Sequence, residues 1–127
     1  MTLPTMARVE ASPNFLSNLN DAHEFFVLQD ADSAENRLAM LKQSLREMVK
    51  ILGWSPAGGR PARFLSAMSV QAQLRTQPVI ELSASIGLPS LREYVVGQHI
   101  VLYAHSETEV VLLAIKHQRQ LTYLAAS

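Results

Sequence analysis

Leu91-Arg92-Glu93-Tyr94-Val95-Val96, Gly97-Gln98, His99-Ile100-Val101-Leu102-Tyr103 and, after Ser106-Glu107-Thr108, Glu109-Val110-Val111-Leu112-Leu113-Ala114-Ile115-Lys116-His117-Gln118-Arg119 decide the fold. β-Branched and aromatic residues lie between turn formers at Gly97 and at 106–108, which predicts three consecutive antiparallel strands. The run 110–115 is apolar on both faces, so its strand is expected at the centre of a sheet, covered on both sides. It ends in Lys116, His117 and Arg119, a strand-end polar cluster of the kind that serves contact.

Upstream, Ala7-Arg8-Val9-Glu10-Ala11 alternates as a half-buried strand does, and Ser12-Pro13 supplies a helix cap and a first-turn proline. Phe15, Leu16, Leu19, Ala22 and Phe26 predict an amphipathic helix to about Gln29, broken at residues 30–33. Asp32-Ser33-Ala34-Glu35 reads as a capping box, and Leu38, Leu41, Leu45, Met48 and Leu52 give a second helix closed by Gly53. The short link favours an antiparallel helical hairpin whose apolar faces cover one side of the sheet. The Leu38 to Leu52 stripe is read as core rather than as a dimer seam. Residues 54–61 are a turn-rich connector, with Trp54 either fastening it or serving as an interface anchor. Residues 62–78 allow a helix from Pro61 through Phe64, Leu65, Met68 and Ala72, although Val70 and Leu74 spoil its face; Val79-Ile80-Glu81-Leu82-Ser83-Ala84 reads as a strand ended by Gly87. The expectation is one α+β domain over 1–127: a strand, a helical hairpin, then an antiparallel meander.

Composition narrows the function classes. The chain has 127 residues, 48% of them apolar, enough for one core, and no cysteine, which excludes disulfides and thiolate sites. Eleven basic residues balance eleven acidic ones, so no global field draws the chain to nucleic acid. No run approaches the roughly 20 apolar residues of a membrane span, and residues 1–6 lack the pattern of a leader, so a cytoplasmic, unprocessed protein without membrane association is expected. His99 and His105 share a strand face about 20 Å apart, too far for one ion, and His23 and His117 do not complete a site. No metal and no cofactor are expected. Arg60 and Arg63 beside Gly58-Gly59 are read as solvated arginines at a terminator rather than as a phosphate loop.

In order along the chain, Val9-Glu10-Ala11-Ser12-Pro13, Gly59-Arg60-Pro61, Leu91-Arg92-Glu93, His99-Ile100-Val101-Leu102-Tyr103 and Leu113-Ala114-Ile115-Lys116-His117-Gln118-Arg119 resemble motifs of the RelE/ParE superfamily of bacterial type II toxin–antitoxin toxins, and of its ParE-like branch within it. The resemblance covers nearly the whole chain apart from an apparent insertion at about 65–89. It implies a growth-inhibiting toxin neutralised by a cognate antitoxin. ParE-like members are described as poisons of DNA gyrase without a catalytic centre; RelE-like members cleave messenger RNA on the ribosome. The family usually writes this strand YRVLY or YIVLY; set against YRVLY, His99 and Ile100 stand in place of its first tyrosine and its arginine, so the central phosphate-stabilising cation is missing from that position. That favours the non-catalytic branch. His99, Tyr103, Lys116, His117, Arg119, Arg60 and Arg92 are then the candidate target- or antitoxin-binding residues. In the alternative RNA-cleaving reading, Lys116, His117, Arg119 and Tyr123 form a rearranged centre, with histidine as acid or base. The plainer alternative for His117 and Arg119 is a strand end paired with Glu93, and for the molecule a non-toxic interaction module of the same fold.

Overall fold

Ser12 ends one element and starts the next, and the order of the molecule follows from that junction. In the computed structural model, which describes residues 6–62 and 70–120 together with Tyr123 and Ala125, β1 (Arg8–Ala11) runs into α1 (Pro13–Gln29). The Ser12 hydroxyl accepts the Phe15 N–H at 3.1 Å, and Pro13 stands where a helix needs no donor. Asp30 ends α1 and caps α2 (Ala31–Trp54) at once. Its carboxylate accepts the Asp32 N–H at 3.1 Å, so the cap lies two residues before the predicted capping box. A single aspartate in extended conformation suffices for both ends, which makes the hairpin link one residue long. Gly53 does not close α2 but lies buried inside its last turn, and Trp54 completes the helix.

A 3-10 turn at Pro56–Gly58 leads to the two-residue β2 (Arg60–Pro61). The strand expected at 79–84 is instead part of α3 (Val70–Ile86). Val79 is buried and Leu82 and Ile86 pack beside it on one helix face, a spacing of three and four that outweighs the β-branched pair at 79–80. Pro78 lies inside this helix and gives up one backbone donor there. The expected helix through Phe64, Leu65 and Met68, and Arg63 with it, lies outside the described residues.

The meander follows as β3 (Ser90–Val96), β4 (His99–His105) and β5 (Glu109–His117), with Gly97 at φ +58 in the tight turn. The sheet order is β1-β5-β4-β3-β2; β1 runs parallel to β5 and the other pairs are antiparallel. β5 is therefore internal, and both its faces are covered within this chain. On one face Phe15, Phe26, Leu41, Leu45, Met48 and Leu52 of the hairpin meet Val101, Tyr103, Val110, Leu112 and Ile115. On the other, Val79 meets Ile100, Leu102, Ala104, Leu113 and Ala114. The Leu38 to Leu52 stripe is thus core.

A register shift at Leu102/Tyr103 places both Leu113 and Ala114 on the α3 side. The N-terminal turns of α1 grip this irregularity. Ser12 Oγ and Asn14 Nδ2 both donate to the Leu113 carbonyl, at 3.1 and 3.0 Å, and Asn18 Oδ1 accepts the Ile115 N–H at 3.1 Å. These three buried polar side chains fix where α1 crosses β5.

Candidate functional site

The polar end of β5 faces two ways, because successive residues of a strand alternate between faces. His117 points to the hairpin side and meets His99 edge-on, ring centroids 5.3 Å apart. His99 in turn lies 6.1 Å from Phe26, and the Arg37 guanidinium lies 4.2 Å above the same ring. His99, His117 and Arg37 line a cavity of about 570 Å³ between α1, α2, the β3–β4 turn and the end of β5. Asn18, Asp21, Phe25 and Gln29 form its α1 wall; Gln98, Gln118, Arg119 and Gln120 form the opposite one.

Hydrogen bonds set the orientation of this cluster. His117 Nδ1 accepts the Arg119 N–H at 3.1 Å, so the ring carries its proton on Nε2, which lies 3.4 Å from Gln98 Oε1. Gln118 Nε2 donates to the Gly97 carbonyl at 3.1 Å and its backbone N–H to Gln98 O at 2.8 Å, tying the strand end to the facing turn. Arg37 Nη1 donates to Gln29 Oε1 at 2.9 Å. Burial, then the electrostatic influence of neighbouring His117 and Arg37, pushes the His99 imidazole down to about 4, so it is neutral at physiological pH.

Lys116 points the other way. Its ammonium lies 5.4 Å from the centre of the Tyr123 ring and donates to the Gln120 carbonyl at 3.0 Å. Burial lowers its affinity for the proton, and nearby Glu93 partly restores it. The Tyr123 hydroxyl is buried and donates to Glu93, and burial together with that bond pushes the phenol well above its usual range. Arg60 Nε stands 3.8 Å from the same carboxylate. Glu93 thus meets Arg60 and Tyr123 on the α3 side, the face opposite to His117. Of the four groups in the RNA-cleaving alternative, Lys116 and Tyr123 approach each other on the α3 side while His117 lies on the hairpin side.

Tyr103 and Arg92 are used within the fold. The Tyr103 hydroxyl accepts the Gly59 N–H and donates to the Pro56 carbonyl, both at 2.8 Å, and burial raises its pKa. Arg92 Nη1 donates to the Gly59 carbonyl at 3.0 Å, and its Nε to His105 Nε2 at 3.2 Å. Together they clamp the 59–61 segment to the sheet edge, so three of the sequence motifs meet at one place. Gly59 is required there, since a Cβ would stand 2.7 Å from Tyr103 Oη and closer still to the Glu93 carbonyl.

Arg37, Phe25 and the glutamines of the cavity were not singled out by sequence reasoning. A signal for Arg37 existed: it lies seven residues after the Asp30 break and His23 seven before it, so an antiparallel hairpin brings their neighbourhoods together. The bond at 2.7 Å between His23 Nε2 and Glu35 Oε1 shows that pairing. Among the described residues, no group of three histidine, aspartate or glutamate side chains is placed to hold a metal ion, and no helix is long and apolar enough to cross a membrane.

No protein-family model and no curated protein matches the sequence. Among solved structures, a chain of "Chromosomal ParDE TA system from P. aeruginosa" superposes with a TM-score of 0.56 at 14% identity, covering 88% of this chain and 96% of that one. The strand, the helical hairpin and the sheet therefore form a RelE/ParE-like fold at low sequence identity.

Proposed function

We propose that this chain is the toxin of a bacterial type II toxin–antitoxin pair, that it inhibits growth in the ParE manner by poisoning DNA gyrase, and that a cognate antitoxin neutralises it in the cytoplasm. The observation that carries the reading is the likeness to a ParDE chain over nearly the full length of both molecules. On this reading the chain is one domain, and residues of the 65–89 insertion add the α3 layer to it.

The chemistry of the sheet supports the non-catalytic branch over RNA cleavage. Ile100, in the place of the expected cation, is buried among Leu102 and Ala104 beneath α3. The Tyr123 hydroxyl is held by Glu93 inside the protein, and Lys116 is engaged with Gln120. A phosphorane intermediate needs cations and a proton donor converging on one open point. Partner binding is supported by the hairpin surface, where Leu28 is 85% exposed, Met40 64% and Trp54 62%.

Expression in a host lacking the partner gene is expected to arrest growth with induction of the DNA-damage response, and the purified protein to inhibit gyrase supercoiling. Rapid loss of translation without DNA damage would assign the RNA-cleaving mechanism instead, and no growth effect would leave an interaction module.

A further inference from the structure

We propose that the cavity between the helical hairpin and the end of β5 binds a nucleoside monophosphate, its phosphate held by Arg37, His117 and Arg119 and its base laid against Phe25. The about 570 Å³ of space lies within the usual range for small-molecule sites. Its charge balance is cationic: Arg37 from α2 and Arg119 from the β5 end, with Lys116 also in the lining but its ammonium turned to the Gln120 carbonyl, against the single acid Asp21 on the α1 wall.

The donors are prepared for an anion. Arg37 is anchored by Gln29 and by stacking on Phe26, which uses one of its five N–H groups and keeps the planar fork at the cavity. The His117 tautomer puts an N–H on Nε2, and the contact of 3.4 Å to Gln98 is long enough to be exchanged for a phosphate oxygen. Arg119 is exposed, with its backbone N–H already satisfied by His117.

The body of the ligand is specified by the rest of the lining. Phe25 keeps half of its surface exposed although its neighbour Phe26 is buried, so it offers a ring face to a planar group. Gln29, Gln98 and Gln120 use their amide oxygens on Arg37 and His117 and Gln118 its amide nitrogen on Gly97, which leaves three NH2 groups and one carbonyl for the edge of a base. An inorganic anion alone would leave Phe25 and the amides without a role.

Calorimetric titration of the purified protein with AMP, adenosine and inorganic phosphate tests this without reference to any toxic activity. AMP is expected to bind about tenfold or more tightly than either fragment. Arg119→Gln should weaken AMP and phosphate alike, whereas Phe25→Ala should weaken AMP and leave phosphate unchanged. Circular dichroism confirms that both variants are folded, and both side chains are exposed. A 5′-phosphorylated dinucleotide distinguishes the source of the same chemistry: tighter binding than AMP assigns a nucleic-acid end, equal or weaker binding the free nucleotide. AMP binding no tighter than phosphate, affinity unchanged in Arg119→Gln, or no heat with AMP at millimolar concentration overturns the proposal.

Discussion

Tyr103 shows how one hydroxyl can position a whole segment. It satisfies the Gly59 N–H and the Pro56 carbonyl at the same time, so Tyr103→Phe removes two partners while keeping the ring. The stranded groups should cost about 1–3 kcal/mol, read as a lower urea midpoint with unchanged slope. Gly59→Ala should cost more, because the clash is with backbone and a buried ring rather than with a flexible side chain end. His99 makes a different demand. The unfolded chain takes up a proton near pH 6.5, but the folded imidazole resists it until about 4. Its contribution to stability is therefore complete above pH 6.5, falls as the pH drops through the window from 6.5 to about 4, and levels off below. Between about pH 7.5 and about pH 5 the loss from this group should be about 2 kcal/mol. Urea titrations at both pH values check it, since His99→Gln should shrink the difference and a difference of the same size in the variant would remove the assignment.

The crossing of α1 over β5 depends on side chains that sequence patterning treats as noise. Asn14 and Asn18 are polar residues on the buried face of an amphipathic helix, and their partners are the Leu113 carbonyl and Ile115 N–H about a hundred residues away. Asn18→Leu should cost about 1–3 kcal/mol by leaving the Ile115 amide unpaired, and hydrogen exchange at Ile115 should accelerate more than at Val101. The helical hairpin and the meander were legible because each carries its own periodicity and its own stop signals: Ser12-Pro13, Asp30, Gly97. The candidate site was legible only where it coincided with a strand end. His99, His117 and Arg119 were readable from the meander, but Arg37 and Phe25 meet them through the folding back of α2 on α1, which no local pattern encodes. The misread strand at 79–84 has a similar origin. Its first four residues suit either period, and the sheet face that α3 covers is what selects the helix.

Two cores flank a single sheet, and β5 belongs to both. Leu112 and Ile115 pack toward the hairpin while Leu113 and Ala114 pack toward α3, so a defect on one face is transmitted through the strand that the other face needs. α3 is expected to be the weaker partner, since Pro78 interrupts its hydrogen bonding and Val79 is the fully buried residue it contributes among those described. Leu113→Ala, at a position with 0% exposure, should cost about 2–5 kcal/mol. Amides of α2, β4 and β5 should lose protection together in this variant, because they exchange only through global unfolding, while α3 amides exchange earlier in wild type and variant alike. Separate thresholds for α2 and β4 would show that the hairpin and the sheet unfold as independent units. Equal protection of α3 and β4 would show instead that α3 is as firmly held as the strands beneath it, and that the α3 layer opens only when the whole molecule does.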